Sequence, residues 1–399
     1  MQITELRLKN FRAFKDVTLK DIPRFCVFVG ANGTGKSTLF KVFHFLQDAL
    51  ASDVTTALGK LGGGREFQEV RSRNSTGAIE ILLKFKANRD KVKNPSITYE
   101  LHIDEENGLP FVALERLSYR RGQRHGKPWL FLDFAKGKGR AVTNELAGVT
   151  DEKELQRGEE QQLKRPDILA IKALAQFAQF PAIVALGNLI ENWHLSDLRV
   201  DKARVIQGMG YAKHLSRDGE NLPLVVDYLY KPHRATFDKI LELMQTRVPG
   251  VNKVDAKTTE DGRVLLRFAD GAFEEPFLAQ HVSDGTIKML MYLVLLYDPE
   301  PYPLLCVEEP ENQLYPSLLE ELAEEFRSYA ERGGQVFVTA HSPSFLNATT
   351  VKEVFWLQKE EGYTKVHRAE KDAQIVAYMK EGDKMGWLWS HGHFNGVNP

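Results

Sequence analysis

The chain has 399 residues, 43% hydrophobic and 27% charged, a composition that excludes collagen, wholesale disorder and a small disulfide scaffold. Lys and Arg number 53 against 54 Asp and Glu, for a formal net charge of −1, so any nucleic-acid contact must come from a local basic patch.

Ile3, Leu6 and Leu8 alternate with polar residues as in a strand, and residues 1–10 lack the apolar centre of a signal peptide. Residues 24–29 read as a buried strand. A glycine-rich loop follows, then Leu39, Val42, Phe43, Leu46 and Leu50 on one face of a helix. Residues 59–74, rich in Gly and Arg, read as a loop. Segments 78–85, 97–103 and 113–119 read as strands joined by short polar turns, hence antiparallel.

Residues 136–215 read as more helical and polar: a charged helix or linker over 151–162, an amphipathic helix over 168–180 that stops before Pro181, and an apolar patch at 183–190. One helix is expected over 221–249 and a strand over 263–268. A helix apolar nearly all round covers 283–296 and should be buried. Strand (303–307), helix (316–332) and strand (335–340) then follow in the order of a parallel βαβ unit, with Pro316 in the helix's first turn. The longest apolar run, 289–297, is too short to span a bilayer. Cys26 and Cys306 lie in apolar runs and read as buried reduced thiols. A soluble, cytoplasmic protein without membrane contact is expected.

Residues 30–37, Gly-Ala-Asn-Gly-Thr-Gly-Lys-Ser, fit the phosphate loop G-x4-G-K-[ST] in its required place between strand and helix. Glycines let backbone N–H groups turn onto phosphate oxygens, and the helix N-terminus adds positive potential. Lys36 can reach the β- and γ-phosphates and Ser37 can ligate Mg²⁺. Asn32, Gly33, Gly35 and Thr38 complete the nucleotide-binding candidates. Residues 304–310, Leu-Leu-Cys-Val-Glu-Glu-Pro, form an apolar strand ending in two carboxylates, at the strand end that faces ligands in a parallel sheet. Glu308 can hold the metal and Glu309 can orient or deprotonate water; the bland reading is an acidic helix cap. His341 ends a second buried strand, where it could contact the γ-phosphate or be structural. Ser283, before Asp284 and Gly285, is a credible N-cap; functionally, Ser283 and Gly285 would offer a hydroxyl and N–H groups to phosphate across a dimer interface. Asn252-Lys-Val-Asp255 matches the guanine-reading N-K-x-D pattern but follows a turn instead of a buried strand, so adenine is expected.

Together these residues resemble the ABC-type ATPases of the SMC/RecF/OLD group, and within it the AAA-15/AAA-21 bacterial ATPases. The resemblance covers nearly the whole chain. The opening Leu6-Arg-Leu-Lys-Asn10-Phe11-Arg12 is similar to the family's first strand and points to Arg12 as a phosphate-side residue. Residues 30–37 match the Walker A loop, 216–222 a D-G-x-N-L segment, 283–286 a variant of the L-S-G-G-Q signature, 308–312 the Walker B and D-loop run, and His341-Ser342 the switch histidine. Tyr315 and Ala340 depart from the family's usual His and Thr, and Gln68 is a candidate Q-loop glutamine.

The resemblance implies an α/β P-loop NTPase of ABC-ATPase head type, with a mixed sheet, an antiparallel β-subdomain and a helical middle region. The expected division is 1–135 (lobe I), 136–250 (helical) and 251–399 (lobe II). It implies an Mg²⁺-dependent ATPase whose two copies close head to tail around ATP, as a homodimer or higher oligomer. The associated work is DNA repair or anti-phage defence. About fifty residues after the switch histidine cannot supply a Toprim nuclease, so a separately encoded nuclease or Toprim-like effector is expected. The alternative is a nucleotide-gated scaffold that holds or releases a partner without touching DNA. A DNA strip is suggested at 112–140, where Arg116, Arg120, Arg121, Arg124, Lys127, Lys136, Lys138 and Arg140 face only Glu115 and Asp133, with Tyr119 and Trp129 interleaved. The tail histidines His391 and His393 read as packing residues, since no Cys or carboxylate cluster surrounds them.

Overall fold

The computed structural model describes residues 1–62, 66–86, 96–120, 129–142 and 160–394. The chain forms two compact units: Met1–Trp193 with Val351–Tyr378 and Gly392–Pro399, and His194–Thr350 with Met379–His391. The stretch 136–250 is thus shared between them, parting at Trp193.

Strand alternation builds most of the first unit. Gln2–Phe11 pairs antiparallel with Phe14–Lys20 and with Ile79–Lys86, and Ser96–Glu106, Leu109–Arg120, Trp129–Ala135, Lys138–Ala141 and Gln161–Gln162 extend the sheet to eight strands. Ile79, Ile81, Leu83 and Phe85 are buried on one face, the period of two that sets register. A second, mixed arrangement holds Phe25–Val29, buried at every residue, parallel to Val354–Glu360, which pairs antiparallel with Tyr363–Arg368. Helix Lys36–Ala51 follows Phe25–Val29 and buries the expected apolar face.

In the second unit, parallel strands Leu304–Glu308 and Val336–Ala340 are linked by helix Pro316–Glu331, the expected βαβ unit. Helix Asp284–Leu296 is buried from Thr286 to Leu296. A small sheet of Gln207–Gly208, Lys253–Thr258, Arg263–Ala269 and Phe277–Leu278 packs against helix Leu222–Tyr230, which helix Arg234–Arg247 follows in the same unit.

Several local expectations change. Within 59–74, Val54–Gly62 and Glu66–Val70 are helical, because Val54, Ala57, Leu58, Phe67 and Val70 are buried and tertiary burial outweighs weak propensity. The helix expected over 168–180 is only Ala170–Leu174. Pro181 opens a helix, Pro181–Glu191, where its missing N–H costs nothing. The single helix expected over 221–249 breaks between Tyr230 and Arg234, around Pro232, whose ring cannot continue the ladder. Asn252-Lys-Val-Asp255 opens a strand, and Asp255 is held by Arg267 at 2.8 and 3.0 Å, a structural role. Most of the charged segment 151–162 lies outside the described residues; Gln161–Gln162 is strand. Cys26 and Cys306 are free and buried. Among the described residues no helix is long and apolar enough to cross a membrane.

Glu115 is a surface charge in the sequence reading and fully buried in the structure. It accepts hydrogen bonds from the Ala170 and Ile171 N–H groups and from the Tyr99 hydroxyl. Burial pushes its carboxyl up from 4.5 to about 7, although the backbone donors pull the other way. The folded state therefore binds a proton that the unfolded state releases, and stability falls as pH rises through that window. The urea midpoint should be lower at pH 8 than at pH 5, by an amount equivalent to roughly 2–3 kcal/mol from this group. Glu115→Gln should flatten that difference; an unchanged pH dependence would assign it elsewhere.

Candidate functional site

In the first unit, a fully buried strand must hand over to a helix within a few residues. Gly33 (φ 77°) and Gly35 (φ 105°) occupy left-handed backbone conformations, which glycine adopts without steric cost. Gly35 has a second reason: a Cβ there would stand 2.7 Å from Thr364 Oγ1. At Gly30 a Cβ would stand 2.5 Å from Thr34 Oγ1 and 2.7 Å from the Leu357 carbonyl. Thr364 Oγ1 donates to the Thr34 carbonyl at 2.7 Å, and Thr34 Oγ1 to the Ala31 carbonyl at 2.8 Å. The loop is thus held from behind by strand Tyr363–Arg368. Lys36 is buried and donates to the Gly30 and Ala31 carbonyls at 2.7 and 3.1 Å. Asn32, Gly33 and Ser37 are exposed and Thr38 is half-buried, so the loop presents a hydroxyl and backbone outward and a cation within. The helix N-terminus behind it leaves its first N–H groups unpaired within the helix.

Arg12, at the end of the first strand, has φ 49° and donates from Nη2 to the Leu61 carbonyl. Burial lowers its pKa. Gln68 is bonded at the surface to Glu105 and Arg71.

In the second unit the carboxylates and the histidine meet at the ends of adjacent parallel strands. Glu308 lies opposite Thr339 in register and is half-buried. Glu309 turns the chain in a left-handed conformation (φ 44°), a strained state for a residue with a side chain. The turn is held by Glu309 N–H donating to the Thr339 carbonyl at 2.9 Å and by Asn312 Nδ2 donating to Glu309 Oε2 at 3.1 Å. Glu309 Oε1 lies 3.3 Å from His341 Nε2. Glu311 accepts the N–H groups of His341 and Ser342 on one oxygen. Burial raises its pKa while those amides lower it.

Ser283 caps helix Asp284–Leu296: its hydroxyl accepts the Thr286 N–H at 3.3 Å and lies 2.8 Å from Thr286 Oγ1. A Cβ on Gly285 would stand 3.2 Å from the Gln313 carbonyl, so the turn packs beside the run that follows Glu309.

Sequence reasoning missed Glu311 as a clamp: it assigned chemistry to Glu308 and Glu309 and offered a helix cap only as the bland alternative for the acidic run. The cap exists, but it covers the chain entering helix Pro343–Asn347 instead of the helix following the run. Thr364 and Gln313 carried no signal because their partners are distant in sequence. Of the basic strip, Arg116 pairs with Asp133 at 2.7 Å and Lys136 with Glu106 at 2.9 Å. Tyr119 stacks on Phe131 with ring centroids 4.7 Å apart. Residues 121–128 lie outside the described residues. His391 stacks on Trp387 and His393 packs on Tyr378; no metal-holding group of three His, Cys, Asp or Glu occurs among the described residues.

Comparison with known proteins matches two adjoining families. Residues 1–162 match one described as "AAA ATPase domain", and residues 159–347 one described as "AAA domain, putative AbiEii toxin, Type IV TA system". Each stretch is thus similar to an AAA ATPase domain, and together they resemble the SMC/RecF-like ABC-type ATPases. Curated relatives that the chain is similar to include the DNA replication and repair protein RecF of Lactococcus lactis subsp. cremoris, strains MG1363 and SK11. Each is 24% identical over 170 residues, 34% of this chain and 47% of the relative. The match therefore spans about half the length of those proteins. Solved structures of similar fold include an SMC head bound to the C-winged helix domain of ScpA (TM-score 0.53, 14% identity, 92% of this chain and 97% of that one). An SMC head with an extended coiled coil, bound to the C-terminal domain of ScpA derived from Pyrococcus furiosus, has TM-score 0.53 and 12% identity over 95% of this chain and 99% of that one.

Glu311→Ala removes the acceptor of two part-buried N–H groups, a loss of up to about 1 kcal/mol for each, since solvent reaches them in part. ATP hydrolysis by this variant should fall at least about tenfold, with ATP binding largely kept, because the Lys36 loop is untouched. Parallel ATP-binding and steady-state ATPase measurements check this; parental hydrolysis would show that the clamp does not position His341.

Proposed function

We propose that this chain is an Mg²⁺-dependent ATPase switch that closes head to tail with a second copy around ATP. The observation that carries the reading is the Glu309–His341 pair at the tips of adjacent parallel strands, in a chain that also holds a lysine inside a glycine loop at a helix start. Each composite site would use Lys36, Ser37, Glu308, Glu309 and His341 of one chain and Ser283 and Gly285 of the other. Arg12, Asn32, Gly33, Gly35 and Thr38 belong to the nucleotide side.

The donor set fits the implied ligands. The left-handed glycines leave room for phosphate against backbone N–H groups, and the exposed Ser37 hydroxyl and the Glu308 carboxylate are the hard oxygen donors that Mg²⁺ prefers. The metal, when bound, neutralises charge on the phosphoryl oxygens. Lys36 exchanges its loop carbonyls for phosphate oxygens. Glu309 accepts the proton of the attacking water at a carboxylate oxygen, and His341 orients that carboxylate and the γ-phosphate from its Nε2 side. Ser283 and Gly285 complete the site in trans.

The name of the RecF relatives supports work on DNA, in repair or in anti-phage defence, and the two-component toxin system named for the second family supports a separately encoded partner; that this partner is a nuclease or Toprim-like effector is part of the proposal. A cytoplasmic location belongs to the same reading. The rival reading, a nucleotide-gated scaffold that never touches DNA, is decided by the DNA measurement below.

Lys36→Ala should abolish ATP binding. Glu309→Gln should retain binding and reduce hydrolysis by about 10²-fold or more, since an amide cannot take the proton. Parental turnover in Glu309→Gln would move the base to another residue.

Replacing Arg120, Arg121 and Arg124 by Glu should lower DNA affinity and flatten its dependence on salt while basal ATPase persists. Equal affinity and salt slope would exclude the strip. A parent protein that binds no DNA with or without ATP would favour the scaffold.

A further inference from the structure

Asp284 stands between Ser283 and Gly285, the two residues assigned above to the triphosphate of a second chain. A carboxylate at this place favours the helix, because it sits in the first turn of Asp284–Leu296 against the positive end of the macrodipole. It disfavours the assigned ligand, since a triphosphate brings several negative charges against it.

One side chain resolves the conflict. Arg204 directly follows helix Val200–Ala203. Its Nη2 lies 2.7 Å from Asp284 Oδ1 and also donates to the Val282 carbonyl, the last one before the turn. Gln313 Nε2 is 3.5 Å from the other carboxylate oxygen. The segment leading to Arg204 is anchored as well: Lys288, buried one turn into helix Asp284–Leu296, donates to the Leu198 carbonyl at 2.6 Å. The segment 198–204 is therefore fastened to the helix at two points, and the guanidinium reaches the turn from a fixed base. Arg204 is the more buried partner, with its side chain 25% exposed against 49% for Asp284. This is the arrangement in which an ion pair keeps its geometry better than an open surface pair does.

We propose that Arg204 is the positioning residue of the signature turn. It neutralises Asp284 and holds the Val282 carbonyl, so that the Ser283 hydroxyl and the Gly285 N–H can receive an anion. This inference rests on the in-trans assignment of Ser283 and Gly285.

The test uses the full chain carrying Glu309→Gln, with ATP and Mg²⁺. It reads the ATP-dependent dimer by sedimentation, ATP binding to the single chain, and the thermal midpoint. Arg204→Ala should weaken the dimer on the order of tenfold or more and leave ATP binding within about twofold. Arg204→Lys, which keeps the charge but not the fork, should fall between. Adding Asp284→Asn to Arg204→Ala should recover most of the lost dimer, because the amide carries no charge. Relief of a merely structural pair would appear in the thermal midpoint and leave the dimer unchanged, whereas here the dimer should recover. With Glu309 restored, Arg204→Ala should lower kcat while KM for ATP stays close to the parent's. Where Arg204→Ala does not fold, Arg204→Gln replaces it with the same expected rescue. An Arg204 variant that dimerises like the parent, or a loss that Asp284→Asn does not relieve, overturns the proposal. Ser283→Arg separates the two levels. If it abolishes the dimer while Arg204→Ala does not, only the role of Arg204 falls. If it leaves the dimer intact, the in-trans assignment falls, and the inference with it.

Discussion

The geometry at the strand ends of the second unit depends on one largely enclosed carboxylate that accepts two backbone amides. Glu311 takes the N–H groups of His341 and Ser342, and so ties the exit of strand Val336–Ala340 to the run that leaves Leu304–Glu308. Burying a charge is expensive, and the raised pKa of Glu311 records that expense. The amides offset it, because the end of a strand and the start of a helix both leave N–H groups without partners. With this tie in place, the backbones that carry Glu309 and His341 are held side by side. The left-handed turn at Glu309 is tolerable for the same reason: its N–H and its carboxylate are both engaged, so the strain is spread over a bonded frame.

The first unit meets a related constraint by other means. A buried strand that turns at once into a helix cannot satisfy its loop groups with neighbouring strands. Here Lys36 and Thr34 take up loop carbonyls, and Thr364 braces the loop from a strand more than three hundred residues later in the chain. The outward face is left to backbone N–H groups and the Ser37 hydroxyl. The loop is therefore specified twice, by the torsions open to glycine and by the lack of space behind Gly30 and Gly35.

What could be read from the sequence follows from how local each determinant is. The glycine loop, the apolar strand before Glu308 and the Ser283 cap are set by neighbours within a few residues, and each stands where its pattern places it. The antiparallel strands of the first unit were readable because one buried face imposes a period of two. Pro181 misled because proline marks a helix boundary without saying on which side the helix lies, and Pro232 because apolar periodicity ran on through it and hid the break. The short helices of 54–70 could not be read from glycine-rich composition, since their stability comes from burial against distant segments. Glu115 counted as a surface charge because its partners, Tyr99 and the Ala170 and Ile171 amides, adjoin it only in the fold. The same holds for Glu311, Thr364 and Arg204.

The helix that begins at Asp284 is enclosed by apolar neighbours from Thr286 to Leu296. Close-packed interiors do not deform smoothly; they shift between discrete packings. A helix enclosed from its third residue onward resists bending, so a load on its exposed first turn is shared by the buried length behind it. The turn at the front is therefore seated on a helix whose enclosed length, and not its first turn alone, resists displacement.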